Sequence, residues 1–403
     1  MQYQNKPLLG VKIVDLTTYG AGPSAGKILG DWGADVIKVE SPAGDPSRYT
    51  DVNLGFPVKN GTSIAWEQLN GNKRAISLDI RTQTGCNIMY RLLESADVLL
   101  SSNRLKALEK NGLDWETISA KFPRLIWAHL SGFGQEGPMA HLPGFDTLCF
   151  WANSGALIDF AEKDTAPLTT PIAVADLAAG VMMAGGIAAA LYQRISTGKG
   201  ERITFSLYGE AAWMMGSLLT GIQSGKTVLP KSRQDNPPMT NTYRCRDGEW
   251  VILSAFEWDR YFPILCKVIG RPELADDPRF PTLDSGLEHK DYLIGLFEEY
   301  FASVDSSEVM KKLAEADFPH AKVKHIKDIL DDEQALANNY IYKVPTRYHG
   351  DWYLPAGPIQ FGGPYQPEHK LGPLLGENTD EIMSEIGYSA EEIAKFRADK
   401  VIL

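Results

Sequence analysis

Short apolar runs separated by glycine-punctuated helical stretches dominate the first half of this chain, and that alternation leaves few folds open. Val11 to Leu16 reads as a strand. Gly20, Gly22 and Gly26 supply a turn and the opening of a helix to about Trp32, and Asp35 to Val39 reads as a second strand. The pattern continues with a strand over Ala75 to Ile80, a helix near Thr84 to Ser95, and strands at Val98 to Ser101 and Leu125 to Leu130. Strands joined by helical crossovers lie parallel, so the expected class is α/β, a parallel sheet wrapped by helices. Leu177 to Arg194 then predicts a buried helix and Arg202 to Leu207 a further strand. Glu210 to Ile222 predicts an apolar helix whose Trp213, Met214 and Met215 are expected in the core.

At residues 229–240 the periodicity stops: PKSRQDNPPMT carries prolines and charges but no pattern, as a linker would. Residues 1–228 therefore read as a large domain. Residues 241–325, with a hairpin turning at Asp247 and Gly248 and helices over Trp258 to Ile269 and Tyr292 to Phe301, read as a smaller α+β domain. Residues 326–403 are a separate closing segment ending in two capped helices, the last opened by a Ser389 to Glu392 capping box. A chain of 403 residues, 44% hydrophobic, is long enough for two such cores.

A net charge of -11 excludes non-specific nucleic-acid binding as an expectation and requires any anionic ligand to find a local basic pocket. Cys86, Cys149, Cys245 and Cys266 are too far apart for a metal knuckle, and the histidines form no ligand cluster, so no metal is expected. With no cationic apolar leader at its start, and with a longest apolar stretch (Ala178 to Tyr192) short and glycine-interrupted, the chain predicts a cytoplasmic protein without a membrane partner. Gly20, Gly22, Gly26 and, at the end of the next strand, Glu40 imitate a dinucleotide site. The spacing is G-x-G-x-x-x-G, however, and Pro23 removes a backbone donor where a pyrophosphate needs one, so a nicotinamide dehydrogenase is only a runner-up.

Asp176 stands out chemically as a lone carboxylate in PIAVADLAAGVMMAGGIAAAL. Its position predicts a helix N-cap, and an isolated carboxylate in apolar surroundings is also a candidate nucleophile. An ordinary aspartate has a pKa near 4, which would leave Asp176 anionic at neutral pH without a general base.

The segments GAGPSAGKILGDWGADVIKVESPAGDPSR, NGNKRAISLDIRTQTG, ADVLLSSNRLKALEKNGLDW, HLSGFGQEGP and DLAAGVMMAGGIAAALYQRISTGKGERI resemble, in order and spacing, those of the family III CoA-transferases, and YRCRDGEWVIL and LLGENTDEIMSEIGYS extend the resemblance to almost the whole chain. The resemblance implies a Rossmann-like large domain completed by the C-terminal segment, a smaller domain, and an interlocked homodimer. It implies that the substrates are an acyl-CoA and a carboxylic acid, coenzyme A thioester being a substrate with no permanently bound cofactor, and that Asp176 is the nucleophile. It places the acyl site at Gly20 and Ala21 and at Gly132, Phe133, Gly134 and Gln135. It assigns coenzyme A contacts to Lys73, Arg74, Leu78, Arg81, Asn103, Arg104 and Lys110. Ser41 departs from the arginine, and Asn378 from the histidine, that relatives carry.

Related racemases have a Gly-His-Asp motif where this chain reads Gly144-Phe145-Asp146, which removes their histidine base. SPAGDPSRYT, LPGFDTLCFWANSG and DDEQALANNYIYK are similar to the branch acting on (R)-2-hydroxy acids such as phenyllactate or 2-hydroxyisocaproate, with carnitine and formate or oxalate as alternative acids. Phe145, Phe150, Trp151 and Trp213 are candidates for an acyl-tail pocket.

Overall fold

The computed structural model describes residues 6–170, 173–225, 232–347, 350–363, 365 and 368–403. Two compact units are present: Met1–Gly155 with Thr169–Gly216 and Leu330–Leu403, and Ala156–Leu168 with Ser217–Ile329. The larger carries strands β1 (Lys12–Leu16), β2 (Asp35–Glu40), β3 (Arg74–Ser77), β4 (Val98–Ser101), β5 (Ile126–Ser131) and β6 (Arg202–Ser206). They form one six-stranded sheet in the order β3-β2-β1-β4-β5-β6. Every pairing in it is parallel. The order reverses between β1 and β4, which opens a crevice above their carboxyl ends.

Helices α1 (Ala21–Asp31), α2 (Gln83–Glu94), α3 (Leu105–Lys110), α4 (Val174–Thr197) and α5 (Leu207–Met214) belong to this unit. Successive residues of a strand face opposite sides, so Ile13 joins the core beneath α1 and α4 with Leu29, Leu100 and Ile187. Its neighbour Val14 joins the core beneath α2 with Ile76, Leu92 and Trp127. The C-terminal segment closes the β3 edge: Asn378 N–H donates to Ala75 O and Asp79 N–H to Val401 O. Ile382, Met383 and Ile402 fill the same core. The capping box opens the last helix, Ala390–Ala398, as expected. The helix before it, Thr379–Glu385, has no side-chain cap, because Asn378 spends its amide on Ala75 N–H and Glu381 instead.

The smaller unit has a three-stranded antiparallel sheet, Thr242–Arg244, Trp250–Leu253 and His320–Lys322. Helices Trp258–Val268 and Lys290–Ser303 pack around Tyr243, Phe262, Phe297 and Phe301. Residues 229–231 of the expected linker lie outside the described residues; its remainder includes a short turn of 3-10 helix, Arg233–Asp235.

Three expectations fail locally. The α4 helix runs 24 residues, beyond the apolar run that marks it, and is long and apolar enough to cross a membrane by those criteria alone. Ala179, Met183 and Ile187 on one of its faces are instead buried in the sheet core. Because α4 starts at Val174, Asp176 lies inside its first turn, and Ala173, left-handed at φ 65°, occupies the cap without a side-chain hydrogen bond. The stretch expected as one helix from Glu210 begins earlier, where Ser206 Oγ accepts the Gly209 N–H, and breaks after Met214. Trp213 and Met214 are consequently exposed rather than core.

Beneath the crevice lies a set of buried ions. Lys73 Nζ meets Asp15 at 2.9 Å, Pro23 O at 2.8 Å and Asn70 Oδ1 at 3.0 Å. Lys38 Nζ meets Asp45 at 3.0 Å and Thr17 O at 2.9 Å. Arg48 grips both oxygens of Glu40 at 2.7 Å and stacks 3.6 Å over Trp66. Burial pulls Lys73 down to about 8 despite Asp15. Burial also opposes the charge on Lys38, but Asp45, Asp15 and Glu40 outweigh it and raise its pKa. Removing one partner of such a pair strands a buried charge, at a cost of about 3–5 kcal/mol. Lys73→Met should lower the urea midpoint accordingly, and Asp15→Leu with Lys73→Met should recover much of the loss; equal losses in both variants would show that the pair is not coupled.

Candidate functional site

The turn after β1 places Gly20 at the N-cap of α1, and α4 crosses directly over it. A Cβ on Gly20 would stand 2.9 Å from Asp176 Cγ and closer still to Oδ2, so only glycine admits the carboxylate here. Ser24 Oγ ties the two helices by donating to Asp176 O at 3.0 Å. Beside Gly20, Tyr19 holds a left-handed φ of 64°. Its N–H points to Asp45 Oδ1 at 3.3 Å, which links the strained turn to the buried ions.

Asp176 is half-buried, and no described residue donates a hydrogen bond to its carboxylate. Burial, then the nearby Asp146, raise its pKa to about 7. The expectation of an aspartate with an ordinary pKa therefore does not hold: desolvation and the facing Asp146 both favour the neutral form. Asp146 accepts the Thr147 N–H at 2.7 Å at the mouth of a π-helical turn, Thr147–Ala152. Burial raises its pKa too, against the pull of amides at Thr147, Ala175 and Ala173.

Two cavities meet at Asp176. One, about 320 Å³, sits at the sheet's switch point and is lined by Thr18, Ser102, Asn103, Arg104, Ser131, Gly132 and Gly134. The other, about 510 Å³, is more apolar, with Phe56, Ala65 and Leu69 beside Asn53 and Gln68. Tyr19, Gly20, Phe145 and Asp176 line both. The rings of Tyr19 and Phe145 meet edge to face at 5.4 Å. A third cavity, about 530 Å³, shares Asn103 and Arg104 with the first and adds Ser41, Leu78 and Arg81.

The structure thus brings together Asp176, Gly20, Ala21, Gly132 and Gly134 around one cavity, and Leu78, Arg81, Asn103 and Arg104 around the adjoining one. Among the described residues Arg81 pairs only with Asp79, at the surface, an interaction cheap to exchange for a ligand. Other expected contacts are engaged elsewhere. Lys73 is the buried partner of Asp15, and Arg74 joins Asp35, Glu381 and Glu385. Lys110 is exposed at the end of α3, outside the cavities described. Phe133 packs on the core beside Tyr208.

Gln135 donates from Nε2 to His129 Nδ1 at 2.9 Å, while its Oε1 accepts from Arg202. That contact assigns the neutral tautomer of His129 whose Nε2–H donates to Asn103 O at 2.8 Å. Gln135 therefore acts through His129, which itself lines the first cavity. Of the expected tail residues only Phe145 reaches a described cavity; Phe150 and Trp151 pack with Ala175 and Ala211, and Trp213 is exposed. Glu40, which a dinucleotide site would offer to a ribose, is held by Arg48.

Sequence reasoning missed Asp146, and Glu210 on α5. Glu210 is buried, its pKa raised to about 8 by desolvation and then by Asp176 and Asp146. Each is a lone acid in an apolar stretch, the mark that identified Asp176.

Residues 8–379 match the model of CoA-transferase family III. The chain is 35% identical, over 98% of its length and 99% of the relative's, to (R)-2-hydroxy-4-methylpentanoate CoA-transferase of Clostridioides difficile. It is 34% identical, over 100% of its length and 99% of the relative's, to cinnamoyl-CoA:phenyllactate CoA-transferase of Clostridium sporogenes. Its structure is similar to that of a CAIB/BAIF family protein from Brucella suis, at TM-score 0.78 and 30% identity, covering 95% of this chain and 100% of that one.

The raised pKa can be read directly, because carbodiimides modify protonated carboxyl groups. Peptide mass spectrometry should find Asp176 modified up to about pH 7, where surface carboxylates no longer react, and Asp146→Asn should move the loss of labelling to lower pH. Labelling of Asp176 that ends near pH 4 in both proteins would contradict the electrostatic account.

Proposed function

The chain belongs to CoA-transferase family III, and on that premise we propose that it moves CoA from an acyl-CoA, such as an enoyl-CoA, to an (R)-2-hydroxy acid with an apolar tail, of the phenyllactate or 2-hydroxyisocaproate kind. The observation that carries the reading is the unpaired Asp176 carboxylate on the shared wall of a polar and an apolar cavity.

In this proposal ionised Asp176 attacks the thioester carbonyl, forming an acyl-aspartyl anhydride and expelling CoA thiolate. The thiolate attacks the aspartyl carbonyl, giving an aspartyl-CoA thioester and releasing the donor acid with one oxygen that belonged to Asp176. The acceptor carboxylate attacks that thioester, a second anhydride forms, and the thiolate takes its acyl group, returning Asp176 as a carboxylate. Each step exchanges one activated acyl bond for another, so the thioester energy is conserved without ATP. Gly20, Ala21, Gly132 and Gly134 keep backbone close to the carbonyl carbon, where N–H groups stabilise an oxyanion. Arg81 and Arg104 supply the local positive charge that coenzyme A phosphates need on an acidic chain.

The acid preference is supported by the apolar cavity, whose walls at Phe56, Leu69 and Phe145 suit an aryl or branched tail, with Asn53 and Gln68 as hydroxyl partners. Oxalate or formate would leave those walls empty. Phe145 in place of a histidine argues against the racemase reaction. We further propose a cytoplasmic homodimer, consistent with the exposed Tyr192, Ile195 and Trp213 on α4 and α5.

Incubation with cinnamoyl-CoA and (R)-phenyllactate, or the branched-chain pair, should produce phenyllactyl-CoA or its counterpart. Asp176→Ala should reduce exchange by on the order of 10⁴-fold or more. Exchange persisting in that variant would refute the nucleophile, and exchange confined to oxalate or carnitine would refute the acid preference. Gly20→Ala should cut kcat by on the order of 100-fold with little change in melting temperature, since its methyl displaces the carboxylate rather than the core.

A further inference from the structure

Glu210 lies in the first turn of α5 with 3% of its surface exposed. Neither carboxyl oxygen meets a hydrogen-bond partner among the described residues. A carboxylate so placed has lost water without replacement, a situation that persists only if the group is neutral or if its charge is used. Its surroundings are apolar: Ala211 beside it and Ala175 beside Asp176 belong to one cluster with Phe150, Trp151 and Met215. The titratable groups facing Glu210 are Asp176 on α4 and Asp146 at the π-helical turn, both anionic when ionised. Cys149 on that turn stays a thiol, since burial raises it to about 11. On β6, which leads into α5, the charged residue is Arg202 at the opposite end, engaged by Gln135. Among the described residues Glu210 thus faces two acids and no cation.

We propose that Glu210 is a positioning residue that keeps its proton within a three-carboxyl cluster while Asp176 ionises to attack the thioester. The proposal rests on the reading of Asp176 as nucleophile. Three carboxyl groups around a dry patch cannot all be anionic, and the proton settles on the most secluded. The values agree in order, about 8 for Glu210 and about 7 for Asp176. Once Glu210 ionises, its charge opposes the incoming carboxylate and each oxyanion, so catalysis falls.

The test is a pH profile joined to a spectroscopic reading. In the wild type kcat/KM should rise through about pH 7 and fall through about pH 8. Glu210→Gln, a neutral isostere, should keep the rising limb and lose the falling one. A Glu210→Gln profile that keeps the falling limb, or one lowered evenly at every pH, overturns the proposal, the latter because it marks a packing role only. Infrared spectra need neither turnover nor a Glu210 variant. Protein labelled with carbon-13 glutamate should show a protonated glutamyl carboxyl band that vanishes near pH 8, and Asp176→Asn should move that loss to lower pH. An unshifted band, or no band, overturns the role of Glu210 whether or not CoA exchange is found, whereas a shifted band without exchange would fault only the transferase reading.

Discussion

A carboxylate pressed against bare backbone, with no cation or donor among the described residues to satisfy it, is the contact on which the site depends. Asp176 rests on Gly20 at the start of α1, and any side chain there would fill the space its oxygens occupy. The seclusion of Asp176 makes it reluctant to ionise, and Asp146 adds to that reluctance. Nucleophilicity and proton affinity are set together, by the same desolvation. A substrate that brings its own carbonyl dipole and excludes water enters a place already low in screening, where small charges act strongly.

Holding a strained turn beside an unsatisfied charge requires rigid support, which the buried ions provide. Lys38 and Asp45 fasten the ends of Thr17 to Tyr19, and Lys73 and Asp15 fasten the base of α1. Several charges that the family resemblance would give to a ligand therefore serve the scaffold. Arg81 and Arg104 instead line a cavity, and among the described residues Arg81 meets only the surface partner Asp79. The division follows depth: buried cations are consumed by buried anions, and exposed ones stay exchangeable.

Strand positions were legible because parallel strands covered on both faces leave continuous apolar runs, as at Val98 to Ser101 and Leu125 to Leu130. Asp176 was legible because an acid among small apolar residues has few structural uses. Asp146 and Glu210 carried the same mark, but one sat in a motif read only for its missing histidine and the other at a presumed helix start. Lys73 and Arg74 could not be sorted from sequence, since their carboxylate partners lie far along the chain, Asp15 for the first and Asp35, Glu381 and Glu385 for the second. The pKa of Asp176 was illegible for the same reason: its burial is built by segments from β1, the π-helical turn and α4 that are adjacent only after folding.

Oxygen accounting tests the central claim most directly. If Asp176 is acylated and deacylated in each turnover, a carboxylic acid labelled with oxygen-18 must leave one labelled oxygen in the Asp176 side chain, and because either oxygen of that carboxylate can attack, the donor acid released in following cycles must carry part of the label away. Mass spectrometry of the peptide containing Asp176 after turnover with the labelled acid, and of the released donor acid, should find the label in both. Turnover that leaves the peptide unlabelled and the donor acid free of oxygen-18 would mean that the acyl groups never pass through this side chain.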